Sequence, residues 1–356
     1  MISIGVDAHK QVHAAVAVDD AGRELGQWRG PNSKSGWLRL AAWSDEFGPT
    51  RRWGIEGAWS YGRGLAQHLV STSETVYEIN SRWTAFGRRR GKKPDKSDRL
   101  DARAVALFVR QEAPALPVVH ADDETAVLDL LCSEREGLLV DAGRLRNQLH
   151  ALLMQVDPEY QSHLPRLDSV AGLKAMTGYP LPRADGLPRR RAASVRRLAV
   201  RLTIVLIQAD DLAEQVEGLA AGRFTPLTQL CGVSLLTAGT LAGILGPGRR
   251  FSNDAQLAAY AGAAPLEASS AGAVRHRLNR GGNRRLNAVL YRIVLTQAHH
   301  SEEARAYLDR RVSEGKTRRE ARRALKRYIA RAIWRLWQQC ELPQLQLASA
   351  APCTAA

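Results

Sequence analysis

Ile2-Ser3-Ile4-Gly5-Val6-Asp7 decides how this chain is read: an apolar, strand-favouring run that ends on a carboxylate. The same arrangement returns at Trp53-Gly54-Ile55-Glu56. Further on, Asp98 and Asp101 stand three apart at the head of a helix-like stretch, a spacing that puts both on one helix face. Acids at the ends of neighbouring strands and at one helix start can converge. Carboxylates gathered in one place repel unless a cation cancels their charge. Hard divalent ions, above all Mg²⁺, take oxygen ligands of this kind and complete their shell with phosphate oxygens.

Around these acids the first 112 residues alternate between the two periodicities. Strands are predicted at Ile2–Val6, Val12–Val18, Glu24–Trp28, Trp53–Gly57 and Val76–Ile79, with helices at Gly36–Phe47 and Gly62–Val70 and another carrying Asp98 and Asp101. That β-β-β-α-β-α-β-α order is the one an RNase H-like (RuvC-like) mixed sheet would have. Just before Asp98 lies Arg-Arg-Arg-Gly-Lys-Lys-Pro-Asp-Lys, residues 88–96. Arg88, Arg89, Arg90, Lys92 and Lys93 are candidate phosphate contacts leading nucleic acid toward the acids, with a solvated loop as the bland reading. Lys10 is a further candidate contact. His9 could touch a metal or phosphate, although a lone histidine is more often structural.

The net charge of +15, from 51 basic and 36 acidic residues, points to a polyanionic partner. Four scattered cysteines (Cys132, Cys231, Cys340, Cys353) have neither metal-ligand spacing nor the look of a disulfide framework. No apolar run is long enough to span a bilayer, and the N-terminus opens on a strand instead of a signal peptide. A cytoplasmic, nucleoid-associated protein is expected.

Downstream the pattern turns helical. Val127, Leu131, Leu138, Leu145, Leu149 and Leu152 form one stripe, and Leu198, Leu202, Val205, Leu212, Val216 and Leu219 a second. Two such helices can form an internal hairpin, the default, or a coiled coil between chains. Leu230–Leu245 has the small-residue pattern of a helix-hairpin-helix unit. Ala304–Trp337 reads as a basic helical stretch, and a disordered tail is expected from about Leu342. Trp53, Trp59 and Trp83 are either base-stacking or core residues, with core preferred.

A second chemical centre is written between Leu257 and Leu286. Ser269 and Ser270 sit in a small-residue turn, followed by Arg275, His276, Arg277, Arg280, Asn283, Arg284 and Arg285. A serine hydroxyl needs activation or a strongly polarised target, and arginines can spread the charge of a phosphoryl transition state. Composition alone allows covalent phosphoryl transfer or a plain loop ahead of a nucleic-acid-binding helix.

The ordered set of motifs resembles the insertion-sequence transposases of family one-ten, bridge-RNA-guided recombinases with DEDD acids and a serine. Gly5-Val6-Asp7-Ala8-His9-Lys10 is similar to that family's first acidic motif. Glu56-Gly57-Ala58 with Tyr61-Gly62 is similar to the second, and Lys96-Ser97-Asp98-Arg99-Leu100-Asp101-Ala102 to the third. Leu257–Pro265 with Ser270, then Gly282-Asn283-Arg284-Arg285-Leu286, resembles its transposase domain. The resemblance covers about residues 1–340.

It implies a RuvC-like DEDD domain over 1–113, a helical coiled-coil region over 114–222, a mainly helical transposase domain over 223–340, and a tail from 341. It implies Asp7, Glu56, Asp98 and Asp101 as Mg²⁺ ligands, and Ser270 (five residues after Pro265), with Ser269 as the adjacent alternative, as the nucleophile that forms a phosphoserine link to DNA. The partners it implies are double-stranded donor and target DNA, a structured noncoding guide RNA, and further copies of the chain, a dimer pairing into a tetramer. Two other readings remain at the residue level: a metal-dependent nuclease of the Holliday-junction kind, with water as nucleophile, and a non-enzymatic nucleic-acid-binding protein.

Overall fold

The computed structural model describes residues 1–80, 97–167, 169–181, 185–247, 250–264, 266–267, 276–277 and 281–349. The N-terminal strands are β1 (Ile2–Ala8), β2 (Val12–Val18), β3 (Glu24–Pro31), β4 (Arg51–Glu56) and β5 (Val76–Ile79). They form a mixed sheet in the order β3-β2-β1-β4-β5. β1 runs antiparallel to β2 and parallel to β4, and β4 runs parallel to β5. Helices α1 (Lys34–Asp45) and α2 (Arg63–Ser71) lie between strands in sequence, and α3 (Asp98–Glu112) follows.

The pleat explains why helices cover both faces. Ile4 and Val6 point to one side, where they share a core with Leu40 of α1 and Leu65 and Leu69 of α2. On the other side Ala102 and Ala106 of α3 meet Ala14, Val16 and Val18 of β2. Fully buried strands on both faces read as near-continuous apolar runs, as β1 and β2 do. The observed mixed sheet with flanking helices fits the expected RNase H-like class.

The remaining helices are α4 (Glu124–Val156), a short α5 (Tyr160–His163), α6 (Val170–Thr177), α7 (Leu187–Ala220), α8 (Leu235–Leu245), α9 (Asp254–Tyr260), α10 (Arg284–His300), α11 (Glu302–Ser313) and α12 (Arg318–Ser349). Two-residue strands β6 (Leu266–Glu267) and β7 (His276–Arg277) pair antiparallel. Contacts divide the chain into two compact units. One comprises Met1–Ala126, Pro226–Val233 and the chain from Ile244 onward; the other comprises Val127–Thr225 with Ser234–Gly243.

In the second unit α4 and α7 form an internal antiparallel hairpin. The Arg135 Nε–H donates to the Ala209 carbonyl (3.1 Å), while Leu145, Leu149 and Leu153 share a core with Val195, Ala199 and Leu202. The buried seam differs from the predicted stripe at the start of α4. Leu128 and Cys132 are buried there, and Val127 is exposed. The start of α4 has a second neighbour: Cys132 Sγ–H donates to Thr240 Oγ1 of α8 at 3.6 Å, and a Cβ on Gly243 of α8 would come within 2.6 Å of the Asp129 nitrogen, so α8 covers a different face of α4 there.

Three further differences stand out. Leu230–Leu245, read as a helix-hairpin-helix unit, holds one α-helix, α8, with a turn at its start and the 3₁₀ segment Thr225–Gln229 ahead of it. The basic C-terminal stretch is two helices, divided at Gly315. The backbone of α12 runs on through Ser349, where a disordered tail is predicted from about Leu342. Gln344, Leu345, Gln346 and Leu347 are good helix formers that a count of Ala, Pro and Ser passes over.

Candidate active site

Alternation along β1 puts Ser3, Gly5 and Asp7 on the α3 side of the sheet. Gly5 is what lets α3 approach: a Cβ there would come within 2.1 Å of the Ala106 backbone nitrogen. Helix backbone therefore rests directly on the strand that carries Asp7. Glu56 ends β4 in register with Asp7, so both carboxylates leave the same edge on the same face. Ser97 caps α3, accepting from the Leu100 N–H at 3.3 Å, and Asp98 and Asp101 occupy the first turn, where the helix dipole favours negative charge.

Asp7 and Asp101 are each about 6% exposed. His9 lies 3.1 Å from Asp7 through Nε2 and 3.6 Å from an Asp98 oxygen. Ligand atoms of Asp7, His9 and Asp98 all lie within 4.8 Å of one another, the one such group among the described residues. Burial pushes the Asp7 carboxyl above the usual carboxylate range; His9 opposes this, and Asp101 and Asp98 add to it. Arg29 of β3 stands 3.7 Å from Asp98. Two acids and an imidazole, with further carboxylates beside them, form a donor set suited to a divalent cation.

Sequence reasoning gathered the acids but ranked His9 as structural. Its position two residues past Asp7, where β1 has just ended, was the available signal. Lys10 is exposed next to this cluster. The candidate phosphate contacts Arg88, Arg89, Arg90, Lys92 and Lys93 lie outside the described residues, as do Trp83, Ser269, Ser270, Arg275 and Arg280, and the side chain of Arg277.

What flanks the serine segment is well defined. A Cβ on Gly282 would come within 2.2 Å of the Gly262 nitrogen, so the two glycine motifs meet backbone to backbone. The Asn283 N–H donates to the Tyr260 carbonyl at 2.6 Å. Its side-chain amide donates to the Tyr260 hydroxyl at 2.9 Å, while its oxygen caps α10 through the Leu286 N–H at 3.0 Å. Asn287 donates to the Ala261 carbonyl at 2.7 Å. Asn283, predicted as a nucleic-acid contact, thus spends its side chain on closing the base of this segment. Arg284 is exposed and Arg285 half-buried. Trp53 is fully buried and donates to Glu74 at 2.9 Å, a core role; Trp59 packs under the Arg250 guanidinium.

Residues 4–158 match the transposase family of the DEDD IS110 type, and residues 225–309 match the transposase IS116/IS110/IS902 family. The chain belongs to the IS110 family of transposases. It is 30% identical, over 269 residues, to a 43.6 kDa protein of insertion element IS110 from Streptomyces coelicolor. That alignment spans 64% of this chain and 66% of the relative, just under two thirds of its length. It is 24% identical to a 44.8 kDa protein of insertion element IS116 from Streptomyces clavuligerus, over 94% of each chain. A 42 kDa protein of IS900 from Mycobacterium paratuberculosis is also 24% identical, over 93% of this chain and 94% of its own. The first family match contains Asp7, Glu56, Asp98 and Asp101; the second contains Ser270. No helix among the described residues of this IS110-family chain is long and apolar enough to cross a membrane.

Proposed function

We propose that this IS110-family protein is a DNA recombinase that cuts and rejoins double-stranded DNA at the ends and target of an insertion element. The observation that carries the reading is the convergence of Asp7 and Asp98 with His9, with Glu56 in register beside Asp7. Segments 1–113, 114–222 and 223–340 are read as the acid-bearing, helical and serine-bearing parts.

Asp7, Glu56, Asp98 and Asp101 would hold Mg²⁺. When bound, the ion supplies charge neutralisation at the scissile phosphate and at the oxygen that leaves it. The raised affinity of Asp7 for protons supports this, because a buried carboxylate beside like charges needs a cation partner. The Ser270 hydroxyl attacks phosphorus: an Oγ–P bond forms, a deoxyribose oxygen leaves with a proton, and the serine proton passes to solvent or a neighbouring base. The ester conserves the phosphodiester bond energy, so a hydroxyl from a new DNA partner can displace the serine without ATP. Arg275, Arg277, Arg280, Arg284 and Arg285 are assigned to the phosphates, with Lys10, Arg88, Arg89, Arg90, Lys92 and Lys93 on the acidic side.

The resemblance extends the proposal to a structured noncoding guide RNA that selects both DNAs, to a dimer pairing into a tetramer, and to work at the nucleoid. Ser270→Ala tests the chemistry directly. Denaturing gels with labelled DNA should show protein–DNA adducts for the parent and none for the variant, with DNA binding retained. Adduct-free hydrolysis that persists in Ser270→Ala would make the protein a resolvase-like nuclease instead.

A further inference from the structure

We infer that the loop end of the α4–α7 hairpin is a docking face for the phosphate backbone of duplex DNA, resting on the proposed recombinase reading. Charge is sharply segregated along this hairpin. Residues 142–205, its loop-end half, carry eleven Lys or Arg against four Asp or Glu. Residues 127–141 and 206–220, the open end, carry one basic residue against eight acidic ones. A helical pair mixing both signs for solubility alone would show no such division.

The arginines are also ordered in space. Arg190, Arg197 and Arg201 are all exposed. Their spacing of seven and four residues brings them back to one helix face. Among the described residues none of the three has a carboxylate partner, whereas Arg189 on the neighbouring face pairs with Asp185 at 3.0 Å. Arg197 and Arg201 are like charges one turn apart, an arrangement that disfavours the isolated helix. Beside them runs an open groove of about 460 Å³, floored by Leu152 and Leu198 and edged by Gln148, Ser194 and the two arginines. The Arg197 guanidinium donates to Ser194 Oγ at 2.8 Å, which holds it on this edge.

The dimensions favour B-form DNA. Eleven residues at 1.5 Å each give a track of about 16 Å. That reaches phosphates on both sides of a major groove about 12 Å wide, which in A-form RNA is narrow and deep. Neither helix carries Phe, Tyr or Trp within 142–156 or 187–205, so the face has no platform for unstacked bases. Contacts of this kind hold DNA without reading its sequence.

The test is fluorescence anisotropy of a labelled random-sequence duplex with the full chain, titrated from about 50 to about 200 mM salt. Each phosphate contact contributes about 0.9 to the slope of log affinity against log salt, so R190Q/R197Q/R201Q should flatten it by about 2 to 3. R197Q alone should give about a third of that effect, and D210N/E214Q at the acidic end should leave the slope unchanged. An unchanged slope in the triple variant overturns the inference. So does a change seen with folded RNA only, or a change in sedimenting mass with the duplex slope intact, which would assign the face to RNA or to a second copy. Adduct formation by the parent is scored separately, on duplexes carrying the element's ends and target, with the RNA that co-purifies with the chain. A parent without adducts refutes the recombinase reading and leaves the slope comparison to judge this face separately.

Discussion

The Arg250 guanidinium is buried against the Glu78 carboxylate, tying the segment before α9 to the last strand of the sheet. Its other donors reach the Tyr260 hydroxyl (3.0 Å) and the carbonyls of Ile244 (2.9 Å) and Leu245 (3.1 Å). The rings of Trp59, Phe251 and Tyr260 all lie within about 5 Å of it. Glu78 holds this buried cation firmly charged against the cost of desolvation. Because Tyr260 also bonds to Asn283, the same contacts run from β5 to the base of the serine segment.

Removing one partner leaves a buried charge without its counterion. Arg250→Met is expected to destabilise the protein by about 3–5 kcal/mol, and Glu78→Gln by a comparable amount. Arg250→Met with Glu78→Met should lose less than the sum of the two single changes. Denaturant unfolding of the four proteins measures this. Strict additivity would mean that the ion pair couples nothing.

Gly5→Ala is expected to unseat α3. The added methyl meets backbone, not a movable side-chain end, so the helix must lift away and take Asp98 and Asp101 with it. Overpacking of this kind costs about 1–3 kcal/mol, and more where backbone must move. Stability should fall, and divalent-cation binding should fall further than stability alone requires. Calorimetric titration of folded Gly5→Ala with Mg²⁺ distinguishes the two.

Much of the sheet was legible because its signal is local. Val12–Val18 and Val76–Ile79 match prediction residue for residue, being apolar runs bounded by turns. The acids were legible because each sits at an element's end. His9 was not, since a strand end does not say which way the next side chain turns. Arg250 was invisible for a stronger reason: its partner Glu78 is 172 residues away, and nothing local distinguishes it from the other arginines. The cap that Asn283 makes on α10 was not legible either, because a helix cap and a phosphate contact favour the same residue type.

Burial and the neighbouring acids raise the proton affinity of Asp7, so its ionised form costs stability in the metal-free protein. Asp7→Asn removes that cost. Without metal at neutral pH the variant should melt at or above the parent. With Mg²⁺ the parent should gain stability and the variant should not. Paired melting curves with EDTA and with Mg²⁺ check both signs, and a variant that still gains with Mg²⁺ would remove Asp7 from the ligand set.

His120 supplies a pH dependence of opposite sense. Burial, then the nearby Arg250 charge, holds its pKa below the ordinary 6.5. A depressed histidine pKa means that the unfolded chain binds the proton more readily. Its contribution to stability is therefore complete above about 6.5 and is lost as pH falls from there through the lower folded value. Melting temperature should decline between about pH 7 and pH 5, and His120→Gln should flatten part of that decline while leaving the neutral-pH value within about 1 kcal/mol of the parent. A variant with the parent's full acid sensitivity would assign the effect to other groups, with His13, buried in β2 and also depressed by desolvation, as the next to replace.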